Sequence, residues 1–185
     1  ESVDPHRLAA MAAAERETGV MVTVAVDSNT TVDMAAAAGL RHVLIDVNVG
    51  LPRCGCAPED ARTLAERAVA AGLIVRGVMG YEGHLMTVPE ADKPSKVKAC
   101  MNRLVEAFDS LVDVAGEQCR IISAGGTGTY HVFGGDDPVM SRINEVQAGS
   151  YALMDSSYGA QPLPFEQALY VVGTVISTTA RATGS

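Results

Sequence analysis

Short apolar runs rich in β-branched residues alternate with helix-like segments along most of the chain. The clearest runs are 20–26, 42–49 and 73–79, which are mostly apolar at consecutive positions rather than at every second one. Such runs are typical of strands buried on both faces of a parallel sheet. The segments between them are long enough to be the crossover helices that parallel strands require. The sequence therefore predicts an α/β fold built from right-handed βα units.

Two architectures fit this alternation, a doubly wound sheet and a (β/α)8 barrel. In both, the functional groups lie just beyond the carboxyl ends of the strands. Six residues of this chain follow a predicted strand end, namely Arg53, Tyr81, His84, Thr127, Thr129 and Gly149. This segregation predicts one shared site at one edge of the sheet, although a binding protein would show the same arrangement as an enzyme.

A glycine- and threonine-rich loop at 123–130 is the most suggestive of these strand ends. It follows the apolar run 120–122 and holds Gly125, Gly126 and Gly128 between hydroxyl residues. Glycines let backbone N–H groups approach an anion closely, and threonine hydroxyls add donors, so the loop is suited to a phosphate. A flexible turn is the alternative. A dinucleotide motif is disfavoured, because His131 stands where the third glycine is required and the loop comes late in the chain.

Composition narrows the class of ligand. The chain has 185 residues, enough for one domain with a sizeable core, and its net charge of −8 is accompanied by no Lys/Arg cluster. This argues against nucleic acid and membrane surfaces and favours a small molecule. The spacing of the four cysteines matches neither a zinc site nor a redox pair, which favours free thiols in the cytosol. They are Cys54, Cys56, Cys100 and Cys119.

The types of the individual site residues leave two interpretations open. Arg53 can be a surface arginine, or a fixed guanidinium that binds a phenolate or carboxylate oxygen. Tyr81 and His84 can be structural, or can stack on a heteroaromatic ring and move a proton. Asp46, inside a predicted strand, can face the core or a site, and if buried it needs a partner.

Four motifs in this order make the chain similar to a known group of enzymes. They are the segments 45–55, 80–84, 123–130 and 146–155. Together they resemble the D-threonine aldolase and D-serine dehydratase group of fold-type III pyridoxal-phosphate enzymes, which is related to alanine racemase. One departure is Glu82, which follows Tyr81 where the aldolases carry histidine.

The resemblance implies a (β/α)8 barrel followed by a β-rich domain, in a homodimer. Residues 1–160 would be the C-terminal part of the barrel, with about its last five strands. Residues 161–185, including a β-rich run at 168–177, would lead into the second domain. The first strands, the Schiff-base lysine and most of the second domain are expected outside this chain. The three lysines Lys93, Lys96 and Lys98 do not fit the Schiff-base role and are predicted to be solvated charges on a helix.

The same resemblance implies roles for individual residues. Arg53 would reach the phenolic oxygen or the internal aldimine side of the pyridoxal-phosphate ring, Tyr81 would lie against the ring, and Gln147 would face the pyridine nitrogen. His84 is a candidate acid–base group, which makes Tyr81, His84 and Arg53 the candidate catalytic residues. The phosphate would be held by the loop and by the turn after the next strand, through Gly125, Gly126, Thr127, Gly128, Thr129, Gly149, Ser150 and Tyr151.

The implied activity is a lyase reaction on D-β-hydroxy-α-amino acids, with retro-aldol cleavage to glycine and an aldehyde. The alternatives are dehydration and deamination of D-serine or a D-3-hydroxy amino acid, amino-acid racemisation, and pyridoxal-phosphate binding without turnover. A divalent metal would be bound by residues outside this chain. The 185-residue chain alone is expected to be inactive.

Overall fold

Five parallel strands form a single sheet in the computed structural model, which describes residues 3–176. The order across the sheet follows the chain, β1-β2-β3-β4-β5, and every neighbouring pair is parallel. A doubly wound sheet reverses its strand order, whereas a barrel wall does not. The structure therefore confirms the predicted partial (β/α) barrel. The strands are β1 (Thr23–Val26), β2 (His42–Asp46), β3 (Ile74–Met79), β4 (Ile121–Ala124) and β5 (Glu145–Val146).

Helices fill the segments between the first four strands, as the predicted βα units require, with one further helix before β1 and another after β5. The first helix is capped by the Asp4 carboxylate, which accepts from two backbone N–H groups, and it ends at Gly19 in the left-handed conformation. Ser28 and Thr31 form a capping box at the start of the second helix. The helices are α1 (Pro5–Thr18), α2 (Asn29–Ala37), α3 (Ala61–Ala70), α4 (Lys93–Ala115) and α5 (Ser156–Gly159).

The core lies between the sheet and the helices on its outer face. All five residues of β2 are buried, as expected for a strand flanked by β1 and β3. The apolar face of α4 packs into this core, with Met101, Leu104 and Leu111 fully buried. Gly77 brings β3 close to β4, since a Cβ there would lie 1.9 Å from the carbonyl oxygen of Ile121.

The first strand is shorter and more exposed than predicted. The run 20–26 was expected to be buried on both faces, but β1 begins only at Thr23. Val20 and Met21 are 64% and 50% exposed because they precede the strand. Among the described residues β1 is paired on one side only, to β2, which leaves it half-buried.

The prediction that Lys93 is a solvated charge is wrong. Its side chain is 1% exposed, its Nζ lies 2.8 Å from Oε2 of Glu90, and it donates to Oε1 of Gln161 at 3.2 Å. The position at the start of α4 gave no sign of this, because Gln161 comes 68 residues later in the chain. Lys96 and Lys98 are partly exposed and paired with aspartates, as a helix surface predicts.

The β-rich run at 168–177 forms no strand within its described part. Residues 168–176 have neither helix nor strand, and Ser177 lies outside the described residues. Most of the large apolar side chains of this segment are exposed. The assignment of 161–185 as a transition to a second domain stays a prediction.

Candidate functional site

The loop after β4 is buried throughout, although it consists of glycine and hydroxyl residues. Gly125 has φ +80°, and a Cβ there would lie 2.4 Å from the Phe133 ring. At Gly126 a Cβ would lie 2.9 Å from the Tyr81 ring. Both positions require glycine, because the backbone passes too close to aromatic rings for any side chain.

A buried carboxylate from the loop after β3 holds this segment in shape. Glu82 is 0% exposed. Its Oε1 accepts from Oγ1 of Thr129 at 2.6 Å, and its Oε2 accepts from the backbone N–H of Gly125 at 3.2 Å. The Thr129 hydroxyl also accepts from the N–H of Gly126 at 3.1 Å. The Thr129 hydroxyl is therefore used within the protein.

The middle of the loop, by contrast, offers donors. Within residues 3–176, the backbone N–H groups of Thr127 and Gly128 donate to no acceptor, although both residues are buried. An unpaired buried N–H group costs about 1–3 kcal/mol, so such groups usually serve a ligand. Oγ1 of Thr127 accepts from the N–H of Tyr151 at 2.9 Å, which leaves its own proton to donate. These donors fit the phosphate group that the sequence predicts.

A cavity of about 160 Å³ lies at the carboxyl ends of β2, β3 and β5. It brings together Arg53, Tyr81 and Gln147, the three residues expected around the ring. It also answers the question left open for Asp46, which is buried and faces this cavity. The lining consists of Asp46, Val47, Asn48, Val49, Leu51, Arg53, Cys54, Met79, Tyr81 and Gln147.

Tyr81 is the aromatic wall of the cavity. The guanidinium of Arg53 lies 5.9 Å from the centre of its ring, within cation–π range. Burial raises the pKa of Tyr81 to about 12, and a hydrogen bond to Tyr158 adds to the effect. The phenol is therefore neutral at physiological pH and can donate a hydrogen bond.

Gln147 joins the cavity to the loop after β4. Its backbone N–H donates to the carbonyl of Ala124 at 3.1 Å, and its side-chain amide donates to Oγ of Ser123 at the same distance. The side chain thus crosses from the end of β5 to the end of β4, where it reaches the cavity.

His84 is not brought into this cavity. It lines a neighbouring cavity of about 330 Å³ together with Lys96 and Arg103. Its imidazole covers Gly50, where a Cβ would lie 2.9 Å from Cε1. The three lysines of the chain, all in α4, are also absent from the lining of the first cavity.

The described part of the chain contains no candidate metal site, no disulfide and no candidate membrane-spanning helix. No three His, Cys, Asp or Glu side chains between residues 3 and 176 are arranged to hold a metal ion. The four cysteines are free thiols, and burial raises the pKa of Cys56 to about 12. In the same part of the chain, no helix is both long and apolar enough to cross a bilayer.

The buried loop 125–129, which we call the anion loop, lies beside the first cavity at the carboxyl edge of consecutive parallel strands. This is the arrangement of a barrel domain whose ligand site lies at the carboxyl ends of its strands. The particular family follows from the sequence profile described as alanine racemase, N-terminal domain, which matches residues 5–157. The chain belongs to this family, which confirms the fold-type III resemblance.

Individual relatives narrow the comparison. The chain is 32% identical to D-threonine aldolase from Arthrobacter sp over 189 residues, covering 96% of this chain and 48% of that protein. The structure matches D-threonine aldolase from Filomicrobium marinum with a TM-score of 0.70 and 30% identity, covering 91% and 47%. It also matches D-threo-3-hydroxyaspartate dehydratase from Delftia sp. HT23 with a TM-score of 0.65 and 25% identity, covering 85% and 42%. The chain spans about half the length of these relatives.

Proposed function

We propose that the protein carrying this chain is a pyridoxal-phosphate-dependent lyase that cleaves D-β-hydroxy-α-amino acids to glycine and an aldehyde. The observation that carries the proposal is the pair of backbone N–H groups at the buried residues Thr127 and Gly128, which donate to no acceptor within residues 3–176 and lie next to a cavity lined by Arg53, Tyr81 and Gln147. This combination suits a ligand with a phosphate at one end and a polar ring at the other. The similarity to D-threonine aldolases supports the reaction class.

The loop after β4 would bind the phosphate of the cofactor. Thr127 and Gly128 would donate their backbone N–H groups, and the Thr127 hydroxyl would add a third donor. The turn after β5 would complete the cup with the backbone of Gly149 and Ser150. Tyr151 would act through its N–H group, which orients the Thr127 hydroxyl.

The cavity residues would bind and orient the ring. Bound pyridoxal phosphate supplies an aldehyde that links to the substrate amino group and a ring that withdraws electrons from it. Arg53 would hold the phenolic oxygen, and the neutral Tyr81 phenol would pack against the ring and donate to a nearby oxygen.

Gln147 would limit how strongly the ring withdraws electrons. A neutral amide cannot keep a proton on the ring nitrogen as a carboxylate would. Breaking the Cα–Cβ bond of a β-hydroxy amino acid would then depend more on polarisation of the hydroxyl, for which we propose a divalent metal bound outside this chain.

We also propose that the protein is a cytosolic homodimer. The four free thiols agree with a cytosolic protein, and the homodimer follows the expected architecture of the enzyme group. The acid–base role of His84 stays a prediction, because its imidazole lines the neighbouring cavity.

Dehydration is the alternative with a specific observation in its favour, the match to D-threo-3-hydroxyaspartate dehydratase. Racemisation and cofactor binding without turnover have no comparable support here.

Product analysis of the complete protein with D-threonine and D-threo-3-hydroxyaspartate separates the four candidate functions, which are retro-aldol cleavage, dehydration, racemisation and binding without turnover. We expect glycine and an aldehyde from the D-amino acid and no product from the L-enantiomer, which is the control. A 2-oxo acid with ammonia, the epimer inverted at Cα, or no product would contradict the proposal.

A further inference from the structure

Glu82 is the fully buried carboxylate beneath the anion loop. Each of its oxygens accepts one hydrogen bond from the loop after β4, from Thr129 and from Gly125. Among residues 3–176, no arginine, lysine or histidine forms an ion pair with it. A buried carboxylate is unfavourable unless its oxygens are hydrogen-bonded, so the contacts with this loop explain how the residue is accommodated.

The charge of Glu82 conflicts with its position next to a loop that binds an anion. A carboxylate close to a bound phosphate repels it, and the repulsion is stronger in a buried environment than in water. If Glu82 only filled space, a neutral residue of the same size would serve better. What a carboxylate adds is two strong acceptors, because charge-assisted hydrogen bonds are stronger than neutral ones.

We propose that Glu82 is a positioning residue that determines which hydrogen-bond donors of the anion loop stay available to a ligand. It takes the Gly125 N–H and the Thr129 proton, and Thr129 in turn takes the Gly126 N–H. The first two N–H groups of the loop are thereby used inside the protein, while those of Thr127 and Gly128 are left for the ligand.

Glu82 also links the two ends of the ligand site. It follows Tyr81 directly, and Tyr81 packs so closely on Gly126 that a Cβ there would lie 2.9 Å from its ring. One residue therefore sets the distance between the aromatic wall and the anion loop. This inference rests on the proposed cofactor for its ring end, but only on the anion loop for its phosphate end.

The test compares ligands with and without a phosphate in the complete protein. Glu82→Gln keeps one acceptor oxygen for the Gly125 N–H, while its NH2 group can only donate to the Thr129 hydroxyl. The charge-assisted hydrogen bond from that hydroxyl is then replaced by a weaker neutral one of reversed direction. We expect the affinity for pyridoxal phosphate and for inorganic phosphate to fall about 10- to 100-fold. The affinity for pyridoxal, which has no phosphate, should change less than about threefold. Ligand-induced absorbance changes and thermal shifts measure these affinities without catalytic activity.

Thr129 supplies the matched controls and a second route if Glu82→Gln does not fold. Thr129→Val removes the charge-assisted hydrogen bond to Glu82 and also the acceptor of the Gly126 N–H, so its loss should be at least as large, whereas Thr129→Ser keeps the hydroxyl and should restore wild-type affinity. The effects of Glu82→Gln and Thr129→Val should be non-additive, because both act on the hydrogen bond between these two residues.

Four outcomes overturn the inference: unchanged phosphate affinity in Glu82→Gln, tighter phosphate binding through lost repulsion, equal losses for pyridoxal and pyridoxal phosphate, and a Thr129→Ser variant as weak as Thr129→Val. Failure of the proposed function looks different. A wild-type protein that binds inorganic phosphate but neither pyridoxal compound would refute the cofactor, and the phosphate affinities of the variants would then decide the role of Glu82.

Discussion

The two segments expected to hold the phosphate are built in different ways. The loop after β4 is buried from Gly125 to Thr129 and is held by its own hydrogen bonds and those to Glu82. The turn after β5 is more open, and both Gly149 and Tyr151 are exposed. Its contacts with the first loop run through the N–H groups of Gln147 and Tyr151. Of the two halves of the expected phosphate site, the loop after β4 is fixed by packing, whereas the turn after β5 is attached to it by a few hydrogen bonds.

The positions of the strands explain the difference. β4 lies between β3 and β5, so its loop is enclosed by neighbours on both sides. β5 has two residues and, within the described part of the chain, pairs with β4 alone. The same residue type therefore has different functions in the two halves. Glycine permits close packing at 125 and 126, whereas at 149 a Cβ would meet no atom within 4 Å.

The strongest test of this contrast places alanine at one glycine of each half. Gly125→Ala forces a left-handed φ on alanine and a clash with Phe133, so we expect about 2–4 kcal/mol less unfolding free energy. Gly149→Ala should change the unfolding free energy by less than about 0.5 kcal/mol. Denaturant unfolding of the complete protein measures both. Similar losses for the two variants would show that the halves do not differ.

The contact between the halves can be tested at Thr127. Thr127→Val leaves the Tyr151 N–H without its acceptor and removes one donor to the ligand, so pyridoxal-phosphate affinity should fall at least about tenfold. Thr127→Ser keeps the hydroxyl and serves as the control. Titration of the apoprotein with the cofactor gives the dissociation constants. If Thr127→Val bound pyridoxal phosphate as tightly as the wild type, the hydrogen bond from Tyr151 to Thr127 would not be what connects the turn after β5 to the loop after β4.

A smaller effect on binding is expected at the ring end of the open half. Gln147→Glu places a carboxylate where the neutral amide is expected to face the ring nitrogen, so the ring should retain a proton and withdraw electrons more strongly. We expect a shift in the absorption of the bound cofactor and an altered rate, with affinity changed less than about tenfold. An unchanged spectrum and rate would exclude contact between Gln147 and the ring nitrogen.

The smallest expected effect is the titration of Tyr81, the aromatic wall of the cavity. Folding raises its pKa to about 12, so the protonated phenol is favoured in the folded state. Its contribution to the unfolding free energy is complete below pH 10, where an unfolded tyrosine stays protonated, and is lost as the pH rises toward 12. The ultraviolet absorbance difference between wild type and Tyr81→Phe should therefore stay flat up to about pH 11. A phenolate signal from Tyr81 near pH 10 would contradict this burial.

Sequence reasoning worked where local pattern decides structure. The apolar runs at 20–26, 42–49, 73–79 and 120–122 predicted the positions of β1 to β4, and the glycine spacing predicted a loop whose backbone donors fit an anion. It failed where a side chain depends on distant partners. The buried Lys93 donates a hydrogen bond to Gln161, and the buried Glu82 accepts one from Thr129, and neither partner is near in the sequence. The local sequence around Glu82 does not predict its burial, because the residues that contact it belong to the loop after the neighbouring strand, β4.

The Glu82–Thr129 hydrogen bond also has a consequence for the order of folding. It joins residues 47 positions apart, so the anion loop cannot take its binding shape until β3 and β4 have paired. Contacts over such separations form late, since the entropy of closing the intervening chain is lost first. The phosphate binding proposed for this loop would therefore require that β3 and β4 are already paired. A newly made chain would acquire affinity for its ligand in one step, with the pairing of two strands, rather than gradually.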